Sequence, residues 1–516
     1  MNPRLHLRAD AMSNTALAHA VLRHGIPPLD PYMAGQPLHY HWAYNAVVAG
    51  LSTVLGATPL ATMVWLGPAG LLVLLLAIAE LARCGEGEAT STRGQILALV
   101  LALLCLNGWG YVILLGRLVG GNSTLTRALG SGVHGYLRTV VAGYDERLGF
   151  VATKALVATS FVWNLAFLAA AFGALVRVLE RGCWRDVVVL ALSGAAASYA
   201  NLFVGVSVFG LVGLALAVWG GLSRPEGESC LKLRVLLALA GVVGAGLMVA
   251  PYAWATLGGA GGQELPVSLS WPDGLHVRGL VLGLLPLWAC VWAVGRPSRP
   301  SAADAIVLFV AACLGVSYLV VRAVDAVEVK LLFVMALLLS AYVGRRVRGL
   351  SAGRVRLLWL VAASTVPTTL LGLVAYTRAP DPLHMTPGEA PTFAWIDRNT
   401  PIDTVVIANE RSTLVPVLAH RDLYLPDRKG FHRGARYDPA EAARRTAQLR
   451  QVYGIPPRVG VLTDIARELD RPVVLITRGW ERGAAPQGLH LVYAAGDMQT
   501  WRLTDRGGQQ SQRSPK

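Results

Sequence analysis

Charged residues are scarce in this sequence of 516 residues: Asp, Glu, Lys and Arg make up 15% of it, against about 25% in an average soluble protein. Hydrophobic residues account for 54%, and the mean hydropathy is +0.49. These values exclude an ordinary soluble protein and predict one that crosses a membrane several times. The formal net charge is +15, but the basic residues lie in short clusters between apolar runs, a pattern typical of cytoplasmic loops and not of nucleic-acid binding.

Cysteine pairs and nucleotide motifs are also lacking. The cysteines form no CxxC pair and none follows residue 313, which argues against a structural zinc site or a disulfide framework. Neither GxxxxGK[ST] nor a GxGxxG after a strand occurs, so the common phosphate-binding loops of nucleotide-dependent enzymes are excluded. The six cysteines are Cys84, Cys105, Cys183, Cys230, Cys290 and Cys313.

Long apolar runs dominate the first three quarters of the chain. A helix that crosses a bilayer needs about 20 apolar residues. Ten segments fit this description. They are roughly 61–82, 95–119, 153–177, 186–202, 203–221, 234–256, 277–295, 303–321, 329–344 and 356–376.

Arginine clusters predict how these segments are oriented. Basic residues occupy every second connection, and the positive-inside rule places those connections in the cytoplasm. They are 83–94, 177–185, 222–234, 296–302 and 345–356. The alternate connections, which mix acids with bases, are then outside together with everything after about 377; they are 120–152, 257–276 and 322–328.

The beginning of the chain is outside by the same argument. Residues 43–60 are therefore predicted as a helix along the outer membrane surface, with Trp42 and Tyr44 at the interface. The alternative is an eleventh span. No secretory signal occurs at the start, so we expect that a first transmembrane helix precedes Met1 and was lost through a misplaced start codon.

The last part of the chain changes character. Short β-like runs at Thr404–Ala408 and Pro472–Thr477, a polar helix at about 438–453 and a hairpin around Gly496-Asp497 predict a small α/β domain at 378–505. The tail 506–516 is predicted to be disordered. With 1–60 as an external loop and 61–377 as the transmembrane domain, the fold class is an all-α polytopic membrane domain of about ten spans with a small C-terminal α/β soluble domain.

A polar, turn-rich block precedes the first span. From Arg8 to Trp42 the chain has an acid, an amphipathic helix (Thr15 to His24), the turn Gly25-Ile26-Pro27-Pro28, then Asp30-Pro31, Ala34-Gly35, Pro37-Leu38 and Tyr40-His41-Trp42. This order resembles the first external loop of the bacterial C-type (GT-C fold) glycosyltransferases, membrane enzymes that use polyprenyl-phosphate sugars. The number of helices supports the resemblance more loosely across residues 1–376.

The resemblance implies a catalytic residue. In that family an acid near the start of the first external loop is the catalytic base or a metal-associated carboxylate, which implies Asp10 here, with Mg or Mn as the divalent cation. Weak candidates for further metal ligands are Asp145 and Glu146. The chain departs from the family where related loops often have a histidine, because Asn14 stands there.

Groups that could bind the substrate follow from the chemistry of transfer from a lipid phosphate, which needs cations near the departing phosphate. Several basic residues lie at the predicted outer ends of spans, and Asp30 and His41 lie in the polar block. The candidates are Asp30, His41, Arg138, Arg147, Lys154, Arg322 and Lys330.

Each candidate has a structural alternative. Asp30-Pro31 is a common turn former, and His39 and His41, which flank Tyr40, are more often interfacial anchors than metal ligands. The Asp145-Glu146 pair could join Arg138 or Arg147. Four charged residues could neutralise one another in a surface network: Arg322, Asp325, Glu328 and Lys330.

These observations favour a multi-pass protein of the bacterial inner membrane that transfers a sugar, with inversion at the sugar carbon, from a polyprenyl-phosphate donor to a glycan or protein acceptor on the external (periplasmic) side. Its partners are the donor lipid and membrane lipid, not nucleic acid. One alternative is a transporter or flippase of a lipid-linked saccharide, although the spans have almost no central charges and no repeat. Another is a non-catalytic membrane scaffold, which the departure at Asn14 keeps open.

Overall fold

The computed structural model describes residues 9–84, 92–121, 124–130, 159–222, 229–257, 267–295, 301–323, 328–377, 385–408, 414–426, 439–454, 458–479 and 487–504. These residues form two compact units. Unit 1 contains the described parts of Met63–Trp254 and Glu264–Pro382, and is almost entirely helical. Unit 2 contains Ala9–Thr62 and the described parts of Ala255–Gln263 and Leu383–Lys516, and is built around a sheet.

The elements follow one another along the chain with short connections. The first part contains α1 (Ala9–His24), α2 (Ala43–Leu55), α3 (Pro59–Arg83), α4 (Thr92–Leu104), α5 (Gly110–Val119), α6 (Leu125–Gly130), α7 (Phe161–Arg181), α8 (Trp184–Ala200), α9 (Leu202–Leu222) and α10 (Ser229–Leu257). The middle part contains β1 (Val267–Leu269), α11 (Gly274–Gly283), α12 (Leu285–Val294), α13 (Ala302–Val320), β2 (Val321–Ala323), α14 (Val329–Arg346) and α15 (Ala352–Thr377). The last part contains α16 (Glu389–Asn399), β3 (Val405–Ile407), β4 (Asp422–Leu423), α17 (Pro439–Val452), α18 (Val459–Leu469), β5 (Val473–Arg478), β6 (Leu489–Ala495) and β7 (Met498–Leu503).

Six of the described helices are long and apolar enough to cross a membrane, namely α3, α7, α9, α10, α13 and α15. The pair α11 and α12, bent by 54°, makes a seventh if it is counted as one broken span. The protein is therefore a helical multi-pass membrane protein with a small C-terminal sheet, as predicted.

The predicted count of ten spans is too high for the described residues. Residues 95–119 divide into two short helices, because Asn107 takes a left-handed φ of 57° and its N–H bonds to the carbonyl of Gly283 at 2.7 Å. The helix α8 has only 17 residues, and α14 carries Lys330 in its first turn and two arginines in its last. An eleventh span at 43–60 is also wrong, because the 13 residues of α2 reach only about 20 Å across a hydrocarbon core of roughly 30 Å.

The centre of unit 1 is α14, whose apolar side chains are buried on every side of the helix. It packs against α4 and α13. At Gly344 the α14 backbone comes so close to α4 that an added Cβ would lie 2.6 Å from the carbonyl oxygen of Gly94. A glycine is required there because a larger side chain would separate the two helices.

The basic ends of several helices meet at one end of unit 1. Arg177 of α7 contacts Glu80 of α3 at 3.1 Å and Asp186 of α8 at 2.6 Å. Arg345 of α14 lies 3.4 Å from Glu180 of α7 and 3.4 Å from Asp304 of α13. The connections predicted to share one side of the membrane therefore do lie at the same end of unit 1, and their cytoplasmic assignment stays a prediction.

The sheet of unit 2 has the strand order β4-β3-β5-β7-β6. The strands β4, β3 and β5 are parallel, and β5, β7 and β6 are antiparallel. The predicted strands and polar helix are present within a few residues of their expected bounds, and the predicted hairpin turns at Gly496, whose φ is +56°. Local patterning was sufficient for these elements because turn residues and alternation are local signals.

The N-terminal block belongs to the same unit as this sheet. Leu423 of β4 donates to the carbonyl of Pro31 at 2.8 Å and accepts from the N–H of Ala34 at 2.9 Å. Residues 31–34 therefore extend the sheet at its β4 edge. The helix α1 packs nearby with nearly all of its residues from 11 to 21 buried or largely buried, so it is not the amphipathic surface helix that the sequence predicts.

A buried ionic cluster joins α1 to the sheet. The carboxylate of Asp422 is fully buried and contacts Arg23 at 2.5 Å, His24 at 2.9 Å and Arg471 at 2.7 Å. Burial by itself would raise the pKa of Asp422, but the hydrogen bond from His24 and the charges of Arg23 and Arg471 hold the pKa well below its usual range. The carboxylate therefore stays ionised and binds α1 to β4.

Removing this carboxylate should destabilise unit 2. In Asp422→Asn two buried guanidinium groups lose their counter-ion, which costs about 3–5 kcal/mol of unfolding free energy. Hydrogen exchange followed by mass spectrometry should show lost protection in α1 and β4. The control is Asp464→Asn, whose exposed pair with Arg467 at 3.1 Å contributes about 0–1 kcal/mol. Equal protection in both variants would contradict the proposed contribution of the cluster.

Candidate functional site

The predicted site residues are divided between the two units. Asp10 lies in α1, but its side chain is outside the described part of the structure. Asp30 and His41 are in unit 2, and Arg322 and Lys330 are in unit 1. The remaining candidates lie outside the described residues: Arg138, Asp145, Glu146, Arg147 and Lys154.

Asp30 closes a tight loop. Its side chain accepts a hydrogen bond from the N–H of Tyr32 at 2.7 Å, and its own N–H bonds to the carbonyl of Gln36 at 2.9 Å. Asp30 is 6% exposed, and Leu29 forms a β-bridge with Pro37 across the base of the loop. This geometry supports the interpretation of Asp30 as a turn former, and its role in substrate binding stays a prediction.

His41 lies in an aromatic pair. Its ring stacks on Tyr40 with the ring centroids 3.9 Å apart and the planes at 28°. Such packing is typical of an anchoring residue. No group of three or more His, Cys, Asp or Glu side chains able to hold a metal occurs among the residues that the structure describes. Because the side chains of the three proposed carboxylate ligands are outside that part, we derive no step through a metal.

Arg322 and Lys330 lie where several elements of unit 1 end or begin. Arg322 is in β2, which pairs with β1, and Lys330 is in the first turn of α14. We call Asp273, His276, Arg322 and Glu328 the β1–β2 cluster. Lys330 lies beside it in sequence, with its ammonium nitrogen 5.5 Å from the centre of the Phe161 ring at the start of α7.

Arg322 caps the end of α13. Its Nη1 donates to the carbonyl oxygens of Leu319 at 2.9 Å and Val321 at 3.0 Å, and Nη2 donates to the carbonyl of Trp271 at 3.4 Å. A cation at a helix C-terminus satisfies carbonyls that have no partner within the helix. Arg322 lies 3.7 Å from Asp273, so a phosphate at this position would compete with these groups for the guanidinium.

His276 is a member of the β1–β2 cluster that sequence reasoning missed. Its Nδ1 is 2.7 Å from Asp273, and its Nε2 is 3.7 Å from Glu328. Glu328 also accepts from the N–H of Ala323 at 3.1 Å. The hydrogen bonds from His276 lower the pKa of Asp273. The cluster thus contains the charge network that was the alternative for Arg322 and Glu328; Asp325 lies outside the described residues.

Two helices of unit 2 carry buried polar residues near Asp10. Ser13 and Asn14 of α1 are 6% and 8% exposed. Asn45 of α2, which packs against α1, is 0% exposed. A single Asn in the apolar run after Trp42 gave no signal in the sequence, because one polar residue does not change the period of a helix.

A second ionic group lies beside the Asp422 cluster. His19 of α1 stacks on His420 with ring centroids 3.9 Å apart. The Nδ1 of His420 is 3.0 Å from Asp397, and Arg421 donates from Nη2 to the carbonyl of Asp397 at 2.8 Å. Burial, followed by the nearby His420 and Arg23, lowers the pKa of His19 to about 2. His19 is therefore neutral and is not a cationic ligand for phosphate at neutral pH.

Comparisons with known proteins give a result at the level of structure only. No protein-family model and no curated protein sequence matches the chain. The glycosyltransferase ArnT from Cupriavidus metallidurans, solved with undecaprenyl phosphate, is similar with a TM-score of 0.53 and 13% identity, over 97% of this chain and 95% of that one. The Archaeoglobus fulgidus oligosaccharyltransferase is similar with a TM-score of 0.52 and 12% identity, over 91% of this chain.

The chain spans 65% of the length of that archaeal enzyme. The arabinofuranosyltransferase AftD from Mycobacteria is similar with a TM-score of 0.50 and 13% identity, over 96% of this chain and 42% of that one. The archaeal enzyme has also been solved with dolichol-phosphate and with zinc and sulfate. These neighbours are GT-C fold, polyprenyl-phosphate-dependent glycosyltransferases. The resemblance predicted from the block Arg8–Trp42 is therefore confirmed as a likeness of fold.

The low pKa of His19 predicts a loss of stability in mild acid. The pKa of an unfolded histidine is about 6.5, so below this pH the unfolded chain binds a proton that the folded chain does not. Stability should then fall by about 1.4 kcal/mol per pH unit as the pH decreases from 6.5 towards the folded value of about 2. His19→Phe, which keeps a ring against His420, should show a flatter profile of unfolding temperature between pH 7 and 4.5. Parallel profiles for the two proteins would rule out this contribution.

Proposed function

We propose that this protein is a membrane glycosyltransferase that moves a sugar from a polyprenyl-phosphate donor to an acceptor on the external side of the bacterial inner membrane. The observation that carries the proposal is the likeness of fold over 91–97% of the chain to enzymes of this kind. The order of residues from Asp10 to Trp42 supports it, because that block precedes the spans as the first external loop does in such enzymes.

The lipid carrier follows from the neighbours. The Cupriavidus enzyme binds undecaprenyl phosphate and the archaeal enzyme binds dolichol-phosphate. Both ligands combine a long apolar chain with a phosphate. A protein with at least six apolar spans and cations at the ends of its helices has the chemistry for both parts, so we assign a polyprenyl phosphate as the donor carrier.

The proposed reaction needs one proton acceptor. The acceptor hydroxyl gives its proton to the Asp10 carboxylate while its oxygen forms a bond to the anomeric carbon of the sugar. The bond from that carbon to the phosphate oxygen breaks, and its electron pair leaves with the polyprenyl phosphate. Attack opposite to the leaving group inverts the configuration at the sugar carbon. A divalent cation held by Asp10, Asp145 or Glu146 stays a prediction, and no step is assigned to it.

The leaving phosphate needs positive charge nearby. We propose Lys330 and Arg322 for this role, together with Arg138, Arg147 and Lys154. Lys330 is the better of the two described candidates, because its ammonium group lies over an aromatic ring and a phosphate would add a stronger partner. Arg322 would have to exchange the carbonyl of Trp271 for a phosphate oxygen.

Asp10→Asn should reduce transfer strongly. An amide cannot accept the hydroxyl proton, and loss of a general base typically costs about 10²–10⁴-fold in rate. The assay is transfer of radiolabelled sugar from a polyprenyl-phosphate sugar by the purified protein in lipid nanodiscs. The control is Asp470→Asn, because Asp470 is exposed with a left-handed φ of 50°, a conformation that Asn also tolerates. Undiminished transfer by Asp10→Asn would refute the assignment.

Lys330→Gln should weaken binding of the lipid phosphate. A charge-assisted hydrogen bond contributes about 1.5–3 kcal/mol, so the dissociation constant for undecaprenyl phosphate should rise about 10- to 100-fold. Native mass spectrometry of the protein in nanodiscs measures this change. Lys330→Arg should retain most of the affinity, and Lys232→Gln, at the start of α10, should leave it unchanged. Equal weakening by Lys330→Gln and Lys232→Gln would point to a general charge effect and remove Lys330 from the site.

A further inference from the structure

The first turn of α2 contains polar groups that the protein itself does not satisfy. Asn45 is 0% exposed, and neither its amide nitrogen nor its amide oxygen has a hydrogen-bond partner among the described residues. Tyr44, the preceding residue, is 7% exposed, and its hydroxyl likewise has no partner there. Buried polar side chains are nearly always paired, and an unpaired one requires an explanation.

The other polar side chains of α2 show that the lack of a partner is specific to this turn. Ser52 donates to the carbonyl of Val48 at 2.7 Å and to the hydroxyl of Thr62 at 3.1 Å. Thr53 donates to the carbonyl of Ala49 at 3.0 Å. The C-terminal half of α2 is therefore fully bonded within the protein. The open hydrogen-bonding groups are concentrated at the N-terminal end.

The helix terminus adds further donors in the same place. The residue before α2, Trp42, makes no capping hydrogen bond with its side chain, and the first turn contains no acidic residue. The first N–H groups of a helix have no partner within the helix. Because Cα–Cβ bonds tilt towards the N-terminus, the side chain of Asn45 leans towards these N–H groups. Amide, phenol and backbone donors thus converge at the start of α2.

The identity of the open groups decides between two kinds of ligand. An amide offers two donors at nitrogen and an acceptor at oxygen. A phosphate offers only acceptors, and its negative oxygens would repel the amide oxygen of Asn45. Neighbouring hydroxyl groups of a sugar ring both donate and accept, so one hydroxyl can bond to the amide oxygen and the next to the amide nitrogen.

We propose that Asn45 and Tyr44, at the N-terminus of α2, bind a pair of adjacent hydroxyl groups of a sugar. This inference rests on the proposed function for its ligand class, and it adds a site in unit 2 to the phosphate-binding candidates of unit 1. The site selects for a ring that carries neighbouring free hydroxyls, whether that ring belongs to the donor or to the acceptor.

The test compares two substitutions at one position. Asn45→Leu has a similar size and no hydrogen-bonding groups. Asn45→Asp keeps two acceptors for sugar hydroxyls and adds a negative charge that repels phosphate. The probes are the methyl glycosides of glucose, mannose, galactose and arabinose, and separately inorganic phosphate. Binding is measured by saturation-transfer NMR on the full protein in nanodiscs, without glycoside detergents.

We expect at least one methyl glycoside to bind the wild type and to bind Asn45→Leu about 5- to 100-fold more weakly, as expected for the loss of one or two buried hydrogen bonds. Asn45→Asp and Tyr44→Phe should retain intermediate affinity. The control is Thr53→Val, on the exposed side of the same helix, which should bind as the wild type does. In the absence of sugar Asn45→Leu should unfold at the same or a higher temperature, because it removes an unpaired buried amide.

Three results would overturn the proposal: no glycoside binds the wild type, Asn45→Leu binds it equally well, or inorganic phosphate binds and Asn45→Asp alone abolishes that binding. The last result would identify the site as a phosphate site. Binding and transfer are measured separately, so the two proposals can fail separately. Transfer that survives Asn45→Leu removes this site alone, and Asn45-dependent sugar binding without any transfer removes the proposed function alone.

Discussion

The fully buried carboxylate of Asp422 is the constraint on which unit 2 depends. Its three cationic partners come from α1 and from the residue before β5, and the strand that carries it also bonds to residues 31–34. A buried charge is stable only while its partners stay in place. The position of the N-terminal block relative to the sheet is therefore fixed by electrostatics as well as by apolar packing. Both Asp10, in α1, and Asn45, in the helix that packs on α1, take their places from this arrangement.

Charge is distributed differently in unit 1. The core around α14 is apolar, and the described ionic contacts lie at the ends of helices. One end holds interlocked arginines and carboxylates from α3, α7, α8, α13 and α14. The other contains the β1–β2 cluster and Lys330. Charged groups are costly in the hydrocarbon region, so this separation is what a membrane requires. It also brings cations to the level at which a lipid phosphate lies.

Elements with a local signal were predictable from the sequence. The hairpin of β6 and β7 has alternating residues around Gly496-Asp497, and the polar helix α17 begins after Asp438-Pro439. The number of spans was overestimated because apolar composition does not show where a helix breaks, and the break at Asn107 depends on a contact with Gly283. Composition identifies a segment that can enter a membrane, while its continuity depends on tertiary contacts.

The candidate site was less predictable for the same reason. Asp422 lies in the sequence AHRDLYLP, which is indistinguishable from a solvated charged stretch until α1 is placed on it. His276 was overlooked because its partners Asp273 and Glu328 lie on different elements. Asn45 was overlooked because it interrupts an apolar run only once. The family resemblance directed attention to Asp10 and Asp30, which share a block but differ in role: Asp30 shapes a turn, and Asp10 remains the proposed base.

The pairing of the two chain ends determines when unit 2 can form during synthesis. Arg23 and its acceptor His420 are 397 positions apart, and a ribosome adds roughly 5–20 residues per second. The helix α1 therefore leaves the ribosome roughly 20 to 80 seconds before the strand that neutralises its cations. All of the helices of unit 1 are made in that interval. Unit 2 is thus completed last, after the membrane-spanning part of the chain has been delivered to the bilayer, and no enzyme built on this plan can act before its final strands have been translated.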